Sequence, residues 1–420
     1  MRETETLIAA ALLLGMDHAS RKLAAADEEI PPLKFEEAIS FMKSRIPMTK
    51  TEWNALEPKL RFRAFTVARL TQCDYIEAAR GRLVSAMEKG EGYASTWHDI
   101  KAIAAEDGAI NFRPGYWENV YRTNTQTAYT AGKLMQFKDN LPPAWRLLIV
   151  DDSRTSDICR GLIQEGKQSL AMASDHPFWA SFGFPPYHFQ CRTGLQAVYK
   201  SEIEDGAIVD NPAIDDVQVR FKPMAGFGGN PLDKESWWKL TNTMIERATK
   251  YGIWPDILQQ AADMDMISYQ KELLKGYIHV YDGQNGGYVQ KAKNWENSQK
   301  EMDTAKELAN DGHKIYLLPR SQIVKSTDML IDNKIGEIKH QEKPTATSIA
   351  TEIREAGKFQ RARVVVVHAL EETTSDDIQI GLWKNIHRTP IQTVILKWRE
   401  KTWNLPRSLL MNKDWVLPKK

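Results

Sequence analysis

The sequence predicts a multidomain chain, with a mainly α-helical (α+β) N-terminal domain followed by an α/β domain in the C-terminal third. Three observations carry this. The chain has 420 residues, more than one core usually serves at roughly 150 residues per domain. Apolar residues recur at a spacing near 3.6 through residues 35–107, and strand and helix patterns alternate after Gly276. Between them, Pro223-Met224-Ala225-Gly226-Phe227-Gly228-Gly229-Asn230-Pro231 crowds glycine and proline together and reads as a linker. The expected division is residues 1–220, a linker and helical spacer over 221–275, and a last domain over 276–420.

Composition narrows the function classes. Hydrophobic residues are 42% and charged residues 26%, which excludes a disordered, collagen-like or membrane-spanning chain. Lys+Arg number 56 against 55 Asp+Glu, a net charge of +1, so the whole molecule is no polyanion trap. Residues 301–420 hold 20 basic and 16 acidic side chains, an excess that permits a phosphate-bearing partner without demanding one. Three cysteines, Cys73, Cys159 and Cys191, cannot make a disulfide framework at this length and point to a reducing compartment. The apolar run Leu7–Leu14 is shorter than the ~20 residues a bilayer crossing needs. It follows Arg2, Glu3 and Glu5 rather than a basic leader, and reads as a packed helix; no membrane partner is expected.

In chain order, Phe35, Ala38, Ile39 and Met42 mark a first helix, and Thr51 with Glu52 a fresh start. Phe62, Phe65, Val67, Ala68 and Leu70 continue the helical spacing, and Ile76–Met87 ends at Gly90 and Gly92. Tyr116–Phe137 is a long helix carrying the polar row Arg122–Gln126. From Leu147 to Val198 the pattern turns to short strands and turns, with Leu147–Val150 a strand. Trp237–Leu274 is helical. Then follow a helix (297–310), strands (314–318, 327–331, 335–339), a helix (347–356), a strand (364–368), another helix and a last strand (391–396).

The chemistry-bearing pattern of the C-terminal third is Asp328, then Glu337 and Lys339. A strand has a side-chain period of two, so Glu337 and Lys339 share a face. A two-residue turn makes paired positions sum to 665 or 667, which sets Asp328 opposite Glu337 or Lys339 on that face. A three-residue turn would put it on the other side. Two carboxylates and an ammonium on one face suit metal-dependent phosphodiester hydrolysis. Oxygen ligands hold Mg²⁺ or Mn²⁺, which polarises the phosphate, while Lys339 orients water or stabilises developing charge. Glu301 and Glu307 of the preceding helix are available as a third carboxylate, and Glu301 is favoured because Ala305, Leu308 and Ala309 form a buried stripe beside it. The plain alternative is three ordinary residues of an exposed ribbon. Downstream, Lys358, Arg361 and Arg363 are candidates for phosphate contacts, and Trp383, Trp398 and Trp403 stand among basic residues that stack bases or fill a core.

Residues 297–368 resemble the PD-(D/E)xK nuclease superfamily, and more closely the C-terminal toxin domains of contact-dependent inhibition proteins (CdiA-type). The resemblance rests on Glu301-x3-Ala305-x2-Leu308-Ala309-x2-Gly312-His313-Lys314-Ile315-Tyr316-Leu317-Leu318-Pro319, on Lys325-Ser326-x-Asp328 and on Glu337-Ile338-Lys339. Thr327 stands where the superfamily has proline. It implies a central mixed sheet flanked by helices, and a divalent ion held by Asp328, Glu337 and Glu301, with Lys339 completing the catalytic set. The expected substrate is tRNA or DNA, and the expected partner a cognate immunity protein.

A second constellation lies upstream: Asp151-Asp152-Ser153-Arg154-Thr155-Ser156-Asp157-Ile158-Cys159 and Pro185-Pro186-Tyr187-His188-Phe189-Gln190-Cys191-Arg192. Cys159, His188 and Cys191 are three zinc-type ligands, with Asp151 or Asp157 available as a fourth. Buried thiols beside a hydrogen-bonded histidine are the other reading. Arg154 and Arg192 near the aspartates suit bidentate ties between strands, and a cysteine–histidine nucleophile pair lacks an evident oxyanion hole.

Over about residues 35–200 these features resemble the phage Mu F-like head morphogenesis family of minor head proteins. The match includes Ala64–Ala68, Arg122-Thr123, Trp145, Asp151-x2-Arg154-Thr155 and Pro185-Pro186-x-His188-x2-Cys191-Arg192. It implies phage portal and capsid proteins as partners and a place in the virion head interior, or in the cytoplasm of the producer or target cell. Together the two resemblances imply a head protein carrying a metal-dependent endonuclease toxin. The alternatives are a structural head protein with an inactive C-terminal domain, and a metal-independent ribonuclease using His279, His368 or His387.

Overall fold

The computed structural model describes residues 36–109, 114–163, 170–213, 215–216, 221–233, 240–264, 266–296, 298–321, 327–412 and 415–417. The expected helix at Leu7–Leu14, and Lys325 and Ser326, lie outside these. The chain divides into two compact units, residues 1–240 and 241–420, a multidomain arrangement of helices with a large mixed sheet in the C-terminal unit.

In the first unit, Glu36–Ser44 is a helix with Ala38, Ile39, Phe41 and Met42 buried. A capping box starts the helix Lys50–Ala55: Glu52 N–H donates to Thr49 Oγ1 at 3.3 Å and Thr49 N–H to the Glu52 carboxylate at 2.8 Å. The helix expected through Phe62–Leu70 is replaced by a 3₁₀ turn, Pro58–Arg63, and by β2 (Ala64–Phe65), which pairs in parallel with β1 (Ile46–Pro47). The physical reason is Arg45. Its buried guanidinium binds the Phe62 and Ala64 carbonyls at 3.1 and 2.6 Å and Asn124 at 2.6 Å, which ties this stretch of backbone to a buried charge and fixes its irregular course. Burial lowers the Arg45 pKa to about 9, helped by Arg63 and Arg80.

The helix Cys73–Lys89 ends on left-handed Gly90, and Tyr93–Glu106 and Pro114–Gln136 follow. The last of these straps onto a small antiparallel sheet. Lys133 donates to the Leu195 carbonyl at 2.5 Å and Gln126 to that of Thr193 at 2.8 Å. The sheet has the order β4 (Ala171–Ala173), β3 (Ala144–Leu148), β5 (Gly194–Val198). Trp145, Phe178, Trp179, Phe182, Phe184, Tyr187 and Leu195 pack beside it, with Cys159 and Cys191 in the same core.

The expected linker is part of this packing. Met224 N–H donates to the Tyr187 carbonyl, Gly228 N–H to that of Pro186, and Phe184 N–H to that of Gly229. Gly183 sits at φ +81, where a Cβ would fall 1.5 Å from the Gly228 carbonyl oxygen. Glycine here permits backbone-to-backbone contact as well as flexibility.

The second unit contains an eight-stranded mixed sheet of order β13-β12-β11-β10-β9-β8-β7-β6. The strands are β6 (Ile278–Asp282), β7 (Tyr288–Lys291), β8 (Lys314–Leu317), β9 (Met329–Ile331), β10 (Lys334–His340), β11 (Val364–His368), β12 (Thr393–Trp398) and β13 (Lys401–Pro406). The hairpin β6–β7 and the edge strand β13 were not expected. Both faces are covered. Val365 and Val367 join the core of helices Ala346–Arg354 and Ser375–Ile386, whereas Val364 and Val366 join that of helix Gln299–Asn310. A continuous valine run is what a strand buried on both sides requires.

The segment expected as a spacer belongs to this unit. Its helices are Asn242–Lys250, Trp254–Asp263 and Ile267–Leu273. Gln259 accepts the Ile335 N–H at 2.9 Å, and Gln270 donates to the Asn333 carbonyl at 3.0 Å. Arg361 pairs with Asp256 and Arg363 with Asp263, so these two basic residues are engaged within the fold.

Candidate functional site

The turn between β9 and β10 fixes the C-terminal cluster. Asp332 and Asn333 both have positive φ, 49° and 69°, which closes a two-residue hairpin of the kind whose twist matches its strands. Ile331 pairs with Lys334, Leu330 with Ile335 and Met329 with Gly336, so paired positions sum to 665. Continuing this register sets Asp328 level with Glu337. Asp332 also anchors the turn: its carboxylate accepts the Lys314 N–H at 2.9 Å and meets His313 Nδ1 at 2.6 Å.

Asp328 and Glu337 are both buried, and each reaches the other's strand. The Asp328 N–H donates to Glu337 Oε2 at 3.3 Å, and the Ile338 N–H donates to Asp328 Oδ2 at 3.4 Å. Lys339 Nζ lies 3.3 Å from Glu337 Oε1, and Gln360 donates to the same oxygen. Glu301 projects from the first turn of its helix into the same neighbourhood, where Arg320 bridges it to Asp328, reaching Asp328 Oδ1 at 3.2 Å. Glu307 instead pairs with Lys397 at 2.5 Å. Asp328, Glu337 and Lys339, read from spacing, are thus neighbours, and Arg320 links Glu301 to Asp328; among the described residues the metal-type group whose ligand atoms all lie within 4.8 Å of one another is instead Cys159, His188 and Cys191. Arg320 and Gln360 had no local pattern to reveal them; they lie in irregular segments whose course is set by tertiary packing.

Three carboxylates meet two cations here, and the electrostatics register the deficit. Burial, reinforced by the Asp328 charge, pushes the Glu337 carboxyl well above its ordinary range despite Lys339. Burial and then Asp328 also raise Glu301, against the pull of Arg320. Glu301 Oε2 is buried without a hydrogen bond of good geometry among the described residues, and Ser298 and Trp295 beside it temper the rise. Oxygen donors of this kind are the type that Mg²⁺ or Mn²⁺ takes, while Arg320 bridges Glu301 and Asp328 as the cluster stands.

The three histidines occupy different surroundings. His368 stacks on His340 at 4.5 Å, and burial, then His340, pushes its pKa down to about 4. His279 faces Asp282 at 3.1 Å, and His387 faces Trp383. Trp398 is buried against Trp403, while Trp383 is exposed.

In the first unit, the helix Asp157–Arg160 is capped by Ser156, whose Oγ accepts the Cys159 N–H at 3.2 Å. The ligand atoms of Cys159, His188 and Cys191 all lie within 4.8 Å of one another. His188 Nε2 is 3.1 Å from Cys159 Sγ, and the two sulfurs are 3.7 Å apart. The Cys159–Cys191 hydrogen bond holds the Cys191 thiol below its ordinary value and raises that of Cys159. Asp151 and Asp157, considered above as a fourth ligand, point elsewhere and lie 3.6 and 3.7 Å from Arg160. The bidentate tie is made by Asp152 and Arg192.

In the first unit, residues 77–196 match the family model described as Phage Mu protein F like protein, which marks this stretch as a Phage Mu F-like domain. Among individual relatives, the chain is 25% identical over 194 residues to the Putative capsid assembly protein F of Escherichia phage Mu, covering 42% of each chain. It is 27% identical over 216 residues to the Mu-like prophage FluMu F protein of Haemophilus influenzae, covering 48% of this chain and 49% of that protein. The chain therefore spans about half, or less, of these relatives' length. Among solved structures, a CdiA-CT/CdiI toxin and immunity complex from Burkholderia pseudomallei aligns with 29% of this chain and 99% of its own, at 18% identity and a TM-score of 0.24. Among the described residues, no helix is long and apolar enough to cross a membrane.

Proposed function

We propose that the chain is a phage or prophage minor head protein whose C-terminal unit is a metal-dependent endonuclease toxin hydrolysing phosphodiester bonds in tRNA or DNA. The observation that carries the enzymatic half is the convergence of buried Asp328 and Glu337 across one hairpin, with Glu301 linked to Asp328 through Arg320. Asp328, Glu337 and Glu301 would hold the divalent ion. When bound, such an ion polarises a phosphate oxygen and generates a nucleophile from water at neutral pH. Lys339, anchored by Glu337, stabilises charge developing on the phosphate, and Gln360 keeps the Glu337 carboxylate oriented.

The head-protein half rests on the Mu F-like domain. It brings portal and capsid proteins as partners and the virion head interior, or the cytoplasm of the producing or target cell, as the location. A lethal nuclease also calls for an immunity protein in its own host. Coexpression with a small neighbouring gene is expected to restore growth, and failure with every neighbour counts against a toxin.

One observation favours a second reading, a structural head protein with an inactive C-terminal unit. Arg320 already bridges Glu301 and Asp328, closing the cluster as an ion-pair network. Incubating the full chain with tRNA and with DNA, in Mg²⁺ or Mn²⁺ and in EDTA, separates the two. Cleavage that EDTA abolishes supports the nuclease. Cleavage that survives EDTA points to histidine chemistry, and intact nucleic acid under all conditions leaves the structural role.

A further inference from the structure

We propose that Cys159, His188 and Cys191 bind one zinc ion in the first unit, with a water in the fourth position beside the Ser156 hydroxyl. The argument starts from the imidazole. His188 Nδ1 lies 2.7 Å from the Phe189 carbonyl, an acceptor only, so Nδ1 carries the proton and Nε2 presents its lone pair. A backbone carbonyl on the remote nitrogen is the usual way a protein fixes a metal-binding histidine in the correct tautomer. That lone pair faces Cys159 Sγ at 3.1 Å and Ser156 Oγ at 2.7 Å.

The sulfurs give the second measure. Two thiolates each ~2.3 Å from a tetrahedral zinc stand about 3.8 Å apart. Cys159 and Cys191 are separated by 3.7 Å, far beyond the ~2.05 Å of a disulfide. Thr193 Oγ1 donates to Cys159 Sγ at 3.1 Å, a hydrogen bond suited to a thiolate. Cys191 reaches the cluster through a tight turn in which its N–H donates to the His188 carbonyl at 3.3 Å and Gln190 takes a left-handed φ of 58°.

Buried thiols packing as apolar groups would not require this arrangement. The protein spends a helix cap, a left-handed residue and an oriented imidazole on bringing three donors together. The neighbouring charges are meanwhile engaged with one another, Asp152 with Arg192 and Asp151 and Asp157 with Arg160. Soft sulfur and imidazole donors select zinc over the hard cation of the carboxylate cluster. Binding displaces the thiol protons to solvent. The ion would add to the polar ties that already join the Asp157–Arg160 helix and its cap to the segment leading into β5, the Asp152–Arg192 pair and the Ser156–His188 and Thr193–Cys159 hydrogen bonds.

The test uses the full chain, purified under reducing conditions and dialysed against EDTA. The expected result is one retained zinc per chain and, after exchange with cobalt(II), a sulfur-to-cobalt charge-transfer band in the near ultraviolet. The oxygen ligands Glu301, Asp328 and Glu337 give no such band, so failure here is distinct from failure of the nuclease reading. Cys191→Ser is expected to weaken zinc binding by more than the ~10–100-fold that loss of a ligand's outer hydrogen-bond partner costs. Where that variant does not fold, the wild-type cobalt spectrum decides by itself. A chain that takes up cobalt without the band, or whose thiols react with a disulfide reagent equally fast with and without zinc, overturns the proposal.

Discussion

The two clusters gather donor atoms by opposite means. In the first unit, soft ligands come from a short capped helix and a tight turn, and the nearby charges neutralise one another outside the cluster. In the second, hard carboxylates come from paired strands and a helix, and the charge is left partly uncompensated inside it: Glu337 and Glu301 are raised by burial and by Asp328. Two thiols and an imidazole can settle their charge among themselves, through the Cys159–Cys191 and His188–Cys159 hydrogen bonds, without an ion. Three buried carboxylates cannot do so without protons or borrowed cations, and the roles of Arg320 and Lys339 follow from that difference.

The strongest way to break the comparison is functional. On the nuclease reading, Glu337→Gln lowers cleavage on the order of 10³-fold, ~4 kcal/mol, with an unchanged circular dichroism spectrum, whereas Cys191→Ser leaves cleavage intact. Equal loss in both would mean that the clusters act as one. Next in size, Arg320→Ala leaves Glu301 and Asp328 without their shared cation. It should destabilise the metal-free second unit by about 1–2 kcal/mol, a figure discounted for solvent screening because this side chain is 41% exposed. Added Mn²⁺ should restore the melting temperature; if it does not, Arg320 is not standing in for an ion.

Asn333→Val places a branched residue at a φ of 69° and is expected to cost about 1–2 kcal/mol. Faster amide exchange confined to β9 and β10 would tie that cost to the register that aligns Asp328 with Glu337.

The smallest effect is a pH window at the same turn. Asp332 holds His313 above its usual 6.5, so that contribution is complete below pH 6.5 and fades as pH climbs through the folded value. Against burial, the His313 hydrogen bond and the Lys314 N–H hold Asp332 below 3.8. Its contribution is complete above pH 3.8 and is lost as pH falls through the folded value. Asp332→Asn should therefore cost roughly 0.5 kcal/mol between about pH 4 and 6.5 and less outside, measurable by urea unfolding at a series of pH values.

How much of this was legible depended on whether local rules governed it. The positions of Asp328, Glu337 and Lys339 follow from a strand period of two and one turn length, both written in adjacent residues. The valines 364–367 marked a strand, while its burial on both faces is set by the helices that pack against it. Phe62–Leu70 misled because apolar spacing carries no information about Arg45, whose side chain binds the Phe62 and Ala64 carbonyls. The glycine-rich stretch at 223–231 misled because glycine serves close packing as well as flexibility, and only the partner backbone near Gly183 and Pro186 distinguishes them. Arg320 reaches the acidic cluster through tertiary packing, beyond any spacing rule.

The sheet order of the second unit carries one further consequence. Every strand from β6 to β13 lies beside its immediate predecessor in the sequence, so no strand has to be threaded between two that are already joined. Such a sheet can grow at a single advancing edge as the polypeptide emerges. Each addition closes only a modest loop, and assembly requires no rearrangement of what has already formed.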